Sequence, residues 1–207
     1  VEVRGYNASL DAVLNNRADV VGGACNSPPF LRIEASPREL RFVRFPHDDQ
    51  AAVDRVRSRL PWYVPHLATE GPTLPPEGLE VFTSAYPLLV GMENADPVTD
   101  YGLVKVMHHH FDEYKNNAPG AGGWTMDRQK LEQAFIPYHE GAIRYFREIG
   151  VWTPEAEAKQ QENLHRQAVL AQAWEAFLPT APEGYQEFET AWLAWRTRAL
   201  EAENLIT

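Results

Sequence analysis

The chain is short of several things, and each shortage excludes something. A single cysteine, Cys25, among 207 residues rules out an intrachain disulfide. No apolar run comes near the ~20 residues that a membrane-spanning helix needs. Basic side chains are outnumbered, 19 Lys and Arg against 29 Asp and Glu. The resulting net charge of −10 argues against a nucleic-acid partner and against adhesion to an anionic membrane. A small cleft on an acidic chain can still carry local positive potential, so an anionic ligand stays open. There is no G-x-S-x-G elbow, no Walker loop and no Rossmann glycine set. His108, His109 and His110 are consecutive. On one helix such neighbours point about 100° apart and cannot converge on one ion, and no His-x-x-x-His or His-Glu-x-x-His pair completes a zinc set.

What is there begins with ordinary globular composition, 44% apolar and 23% charged, on a chain long enough to bury a substantial core. No Met or signal peptide opens it: Val1 falls directly into strand-like alternation, the pattern expected of a mature or truncated product. Residues 1–6 read as a strand. Asn7 is placed to cap a helix with Leu10, Val13 and Leu14 on its apolar side. Residues 20–25 read as a short buried strand running into a small-residue turn. Ser27 then caps a second helix with Pro28 at its first position, and residues 41–45 give a third strand. Strands alternating with helices in so little sequence imply a parallel α/β sheet with right-handed crossovers.

The middle is less regular. Asp48 or Asp49 caps a helix to Leu60 with Val53 and Val56 inward and Arg55, Arg57 and Arg59 as a solvated face, and Pro61 stops it. Residues 71–78, with three prolines, form a loop. Residues 79–92 read as one long extended stretch broken at Pro87. Asp96 and Pro97 then open a helix with Tyr101, Val104, Met107, Phe111 and Tyr114 as its stripe. A turn at 117–123 and a helix over 124–135 follow.

Residues 137–150 form the best-marked element. Pro137 bars helix before it, Glu140 puts negative charge in the first turn, and Gly150 supplies the stop. Ile143, Phe146 and Ile149, with Ala142 and Tyr145 beside them, make its apolar stripe. Beyond it, residues 154–178 and 182–204 read as an antiparallel helical hairpin. The expected inward faces are Leu164, Ala168, Ala171, Trp174 and Leu178 on the first helix, and Tyr185, Phe188, Trp192, Trp195 and Ala199 on the second.

Pro137, His139, Gly141, Ala142, Tyr145, Phe146, Glu148 and Gly150 fall in an ordered P-x-H-x-G-A-x-x-Y-(Y/F)-x-E-x-G pattern. This resembles the C-terminal signature of the TAXI family, the extracytoplasmic solute receptors of TRAP transporters. Leu10-Asp11-Ala12, Arg17-Ala18-Asp19-Val20 and the turn from Gly22 to Pro28 resemble a second family phrase, with Cys25 and Asn26 enlarging a turn usually worded Ala-Pro. The resemblance implies a partial type II periplasmic binding protein: a parallel-sheet lobe over 1–78, an interlobe crossing strand and receptor-core helices over 79–152, and a helical tail over 153–207. It implies a periplasmic receptor without catalysis or cofactor, which binds a dicarboxylate, oxo-acid or acidic amino acid in an interlobe cleft and presents it to TRAP membrane subunits. The Gly/Ser/Thr-rich ligand turns of the family's first lobe are not in this sequence, so a missing N-terminal part of the receptor is an expected partner.

Ligands in open α/β sheets sit at the carboxyl ends of strands. The binding residues expected here are therefore Ala24, Cys25, Asn26 and Ser27; the resemblance, in whose family such an extended stretch returns the chain between lobes, adds Tyr86. Pro28 and Pro29 have no N–H, so the Asn26 and Ser27 side chains, helped by an arginine from elsewhere, must make up the missing donors. His139 reads as a hydrogen-bonded packing residue. The alternative from another class is a hydrolase or transferase using Cys25 with a histidine.

Overall fold

The computed structural model describes residues 4–85 and 88–205. Its described elements are α1 (Tyr6–Leu14), α2 (Phe30–Glu34), α3 (Gln50–Arg59), β1 (Val64–Ala68), β2 (Leu79–Thr83), α4 (Pro97–His109), α5 (Phe111–Tyr114), α6 (Glu140–Glu148), α7 (Pro154–Phe177) and α8 (Tyr185–Ala202). The fold is mixed α/β, dominated by helix. It divides into two compact units: Val1–Val53, Val64–Thr83 and His108–Gln129 in the first, Asp54–Tyr63, Ser84–Met107 and Lys130–Thr207 in the second.

The first unit corrects the expected parallel sheet. Among the described residues the sheet has two strands, β1 and β2, paired antiparallel with His66 opposite Val81. Residues 20–25 and 41–45 turn only some of their apolar side chains inward, and Val20, Val43 and Phe45 stay exposed. Val21, Leu40 and Phe42 pack on a core of Leu10, Val13, Phe30 and Ile33, and Phe30 meets Phe42 edge to face at 5.4 Å. Their backbones form no ladder, however; the Phe45 N–H bond to the Glu80 carbonyl at 2.9 Å is a single bridge onto β2. Of the strand expected over 1–6, residues 1–3 lie outside the described residues, and Tyr6 begins α1. Of the extended stretch expected over 79–92, Leu79–Thr83 is strand, and the expected break at Pro87 lies outside the described residues.

Several local expectations hold. Asp49 caps α3, accepting the Ala52 N–H at 2.9 Å, Val53 is buried, and Arg55, Arg57 and Arg59 are exposed. Asp96 caps α4 through the Val98 N–H at 3.1 Å. The helix expected over 124–135 is instead a chain of short 3-10 turns, Ala121–Trp124, Met126–Arg128 and Leu131–Gln133. Thr125 and Gln129 stand extended between them and interrupt the α-helical ladder.

In the second unit, α6 ends as its sequence implied. Gly150 has φ +75°; the Val151 N–H bonds the Phe146 carbonyl at 3.0 Å and the Gly150 N–H bonds that of Arg147 at 3.1 Å. This is the Schellman arrangement, which puts the residue after the helix in the left-handed region. A Cβ at Gly150 would meet nothing within 4 Å, so the requirement is one of backbone conformation alone. Gly150→Ala is expected to cost about 1 kcal/mol, read as a lower urea midpoint with an unchanged slope; an unchanged midpoint would remove the cap from the account.

The tail forms the expected antiparallel hairpin: Phe177 at the end of α7 meets Phe188 at 5.3 Å and Trp192 at 5.4 Å, while His165 approaches Glu203 at 3.6 Å. The inward face of α7 is not the one expected. Ala156, Gln160, Asn163, Ala173 and Phe177 are buried, whereas Leu164, Trp174 and Leu178 stay 38–47% exposed. On α8, Phe188, Trp192 and Trp195 join the aromatic cluster, and Tyr185 is 80% exposed.

Candidate functional site

The turn over residues 24–27 lies in the first unit. The Ser27 N–H closes it by bonding the Ala24 carbonyl at 2.9 Å. Ala24 is exposed, while Cys25, Asn26 and Ser27 are half-buried. Ser27 does not cap the next helix. Its Oγ accepts the Tyr6 hydroxyl at 3.1 Å, and α2 starts only at Phe30, with Pro29 in the capping position and no side-chain cap. The two prolines explain the delay, because neither can donate. The Phe30, Leu31 and Arg32 N–H groups then turn back onto the carbonyls of Ser27, Pro28 and Pro29 at 3.0–3.1 Å. That leaves the start of α2 with no spare donors for an anion.

Two loops back the turn. Gly71 comes so close that a Cβ there would lie 2.5 Å from the Cys25 carbonyl oxygen, a distance at which no side chain fits. Gly120 passes the Asn26 amide, with its Cβ position 3.2 Å from Nδ2. The Asn26 side chain itself has no hydrogen-bond partner among the described residues. It therefore offers both donor and acceptor capacity at the surface of the turn. Ala24, Cys25, Asn26 and Ser27 are contiguous here; Tyr86 lies outside the described residues. Sequence reasoning missed Tyr6, Gly71 and Gly120. Their only signal was that the two glycines sit in loops of otherwise unassigned purpose.

Burial pushes the Cys25 thiol above its ordinary value, outweighing its own backbone hydrogen bond. A nucleophilic cysteine needs the opposite shift, from a nearby cation or a free helix start. Among the described residues no three His, Cys, Asp or Glu side chains gather as a metal site would require.

The signature residues form a different kind of assembly, in the second unit. His139 is the N-cap of α6, and its Nδ1 lies 3.3 Å from the Gly141 amide nitrogen and 2.8 Å from Asp100 Oδ2. One nitrogen cannot accept from the amide and donate to the carboxylate together. Tyr145 is fully buried and meets Tyr101 edge to face at 5.7 Å. Phe146 stacks on Trp152 at 6.3 Å and stands edge-on to Tyr138 at 5.7 Å. Glu148 accepts from the Tyr101 hydroxyl at 2.5 Å and from Lys105 Nζ at 3.0 Å. Those two bonds, Tyr101 first, hold its carboxyl below the usual range. In the same network, hydrogen bonds to Tyr101 and then Glu148 push Lys105 up to about 12. The side chains of His139, Tyr145, Phe146 and Glu148 are thus spent on joining α6 to α4 and to residues 138–152. A shallow cavity of about 320 Å³ lined by Trp195, Arg198 and Ala199 on α8 involves neither the turn nor the signature.

The chain matches the NMT1-like family over residues 1–150. It belongs to that family. NMT1-like proteins are periplasmic-binding-protein-like, related to the solute receptors of ABC and TRAP transporters, and the family is one of binding proteins rather than enzymes. No curated protein and no solved structure matches the chain. The NMT1-like match runs to Gly150, the terminator of α6, and α7 and α8 lie past it. No helix among the described residues is long and apolar enough to cross a membrane.

Proposed function

We propose that this NMT1-like chain is part of a TAXI-type receptor of type II periplasmic-binding-protein architecture. It would work in the periplasm, taking a small organic anion or amino acid and presenting it to the membrane subunits of a TRAP transporter. The proposed binding residues are Ala24, Cys25, Asn26 and Ser27, together with Tyr86, which lies outside the described residues. The observation that carries this reading is the construction of the turn. Gly71 backs the Cys25 backbone and Gly120 the Asn26 side chain, and the Asn26 amide makes no hydrogen bond among the described residues. A braced backbone with an uncommitted polar group is how small-molecule sites obtain orientation from few contacts. The division into 1–78, 79–152 and 153–207 belongs to the same proposal. The signature motif supports family membership rather than the site, since its side chains are engaged in packing.

The rival reading, a Cys25-dependent hydrolase or transferase, is disfavoured by the direction in which burial moves the thiol. Native mass spectrometry of the full chain, followed by thermal-shift titration with dicarboxylates, oxo-acids and acidic amino acids, separates the two. A solute at about 100 times its Kd should stabilise the folded chain by about 2.7 kcal/mol. Asn26→Ala should remove that gain while leaving the unliganded melting temperature unchanged. Full ligand stabilisation in Asn26→Ala would sink the assignment of the turn, and turnover abolished by thiol alkylation would establish the rival.

A further inference from the structure

Helix α4 is covered by α6 on one side. The Pro97 carbonyl and Asp100 lie against Gly141, Tyr101 meets Tyr145, and Lys105 bonds Glu148. At about 100° per residue, the opposite side of α4 carries Val98, Gly102, Leu103 and Val106. Val98, Leu103 and Val106 are 66%, 42% and 56% exposed, and a Cβ at Gly102 would meet nothing within 4 Å. A second exposed apolar stretch, Leu88, Leu89, Val90 and Met92, runs beside the first turns of α4. Gly91 places it there, its Cβ position lying 3.8 Å from Asp100 Oδ2. Apolar surface gathered in this way on a soluble chain marks an interaction site.

The spacing identifies the partner. Val98, Gly102 and Val106 are each four residues apart. They form one i±4 row, the ridge along which helices most commonly pack, and the row reads the same in both directions about Gly102. Turned end for end, a second α4 sets its Val106 beside Val98 and its own Gly102 beside Gly102, where the missing side chains let two backbones approach closely. The charges favour the same direction. Asp96 is exposed at the start of α4 and His109 is exposed at its end. An antiparallel pair brings each Asp96 toward the other helix's histidine end and opposes the two helix dipoles. We propose that the chain pairs with a second copy of itself through this face, as a two-fold-symmetric dimer in which α4 crosses its copy at Gly102. Such a contact needs a surface complementary to itself, and valine on either side of a glycine notch is one. A membrane surface does not fit, since the face presents no lysine or arginine and the chain carries −10.

The pairing is independent of what the chain binds. Sedimentation equilibrium of the full chain tests it: the mass should rise from 23.5 kDa to twice that, and no further, between about 1 and about 100 µM. Val106→Asp puts a charge into the crossing and Gly102→Gln fills the notch; each should weaken pairing roughly 10-fold or more. Both positions have room in the single chain, so the circular dichroism of each variant should match wild type. Tyr185→Asp, which alters a more exposed apolar side chain on α8, should leave pairing unchanged. Disulfide trapping in a Cys25→Ser background reads the register without any loss of apolar contact elsewhere. Gly102→Cys should link to its own copy, and a mixture of Val98→Cys with Val106→Cys should link across the mixture faster than either alone. A chain that stays monomeric over this range, or that grows past the dimer, would overturn the proposal. So would a dimer that both face variants leave intact, or one in which Gly102→Cys does not link.

Discussion

Gly141→Ala should cost the second unit about 3 kcal/mol, and Gly141→Val should prevent it from folding. The reason lies in how α6 meets α4. A Cβ at Gly141 would fall on the Pro97 carbonyl oxygen, closer than any van der Waals approach allows, and would sit 2.8 Å from the Tyr101 amide nitrogen and 3.0 Å from the Asp100 Cβ. The first two are backbone atoms in the opening turn of α4 and cannot swing aside. Relief requires the two helices to separate, and overpacking of a well-filled core costs about 1–3 kcal/mol even where side chains can adjust. Separation would also strain the contacts that flank the crossing. These are the Tyr101–Tyr145 ring pair at 5.7 Å, the Tyr101 hydroxyl on Glu148 and the His139–Asp100 contact. Trp152, stacked on Phe146, gives a local fluorescence signal for chemical denaturation. A midpoint unchanged within error in Gly141→Ala would show that the helices are not held in this close crossing.

The same residues show how far sequence alone could go. Both ends of α6 were legible, because Pro137, Glu140 and Gly150 act through local backbone rules that need no tertiary knowledge. So were the caps at Asp49 and Asp96, and the apolar positions of α1. The family resemblance was legible from the ordered spacing of eight residues, and the NMT1-like match agrees with it at the level of solute-receptor relatives. What those residues do was not. Gly141 matters for a neighbour 40-odd positions upstream, Pro97 and Tyr101, and no periodicity encodes that. The strands failed for a related reason. Residues 20–25 and 41–45 read as strands from their apolar residues, and Val21 and Phe42 do pack on the core of α1 and α2, but burial of side chains does not report pairing of backbones. Conversely, β1 contains Pro65 and was hidden by it, although a strand at an edge tolerates proline. At the candidate site, the turn itself was legible from its small residues and prolines. The expected role of Ser27 was not: the bond it makes is to Tyr6, 21 residues earlier.

The inward face of α7 was misassigned because its central contacts are polar, and this leads to the other large effect. Asn163→Ala combined with Gln160→Ala should destabilise the second unit by roughly 3–5 kcal/mol, several times the effect of truncating the exposed Leu164. Gln160 and Asn163 are 5% and 3% exposed, which is rare for amides unless they are fully paired. Here they are paired to main chain. Gln160 accepts the Tyr138 N–H at 2.8 Å and donates to the Tyr138 carbonyl at 2.9 Å, acting as a strand neighbour would. Asn163 donates to the carbonyls of Ala134 and Ile136 at 3.0 and 3.2 Å. Removing either amide leaves buried or half-buried backbone groups of residues 134–138 without these partners, and an orphan that water does not reach costs about 1–3 kcal/mol. That segment leads directly into Pro137 and the capping residue His139, so the tail helix fixes the approach to the signature helix even though the family match ends before it. The tail and α6 should therefore behave as one unit: deletion of α7 and α8 should unfold α6 as well. Hydrogen exchange at the amides of residues 140–148 measures this directly. Protection there that is unchanged in the Gln160→Ala, Asn163→Ala double variant would mean that α6 holds itself, and that the buried amides are dispensable.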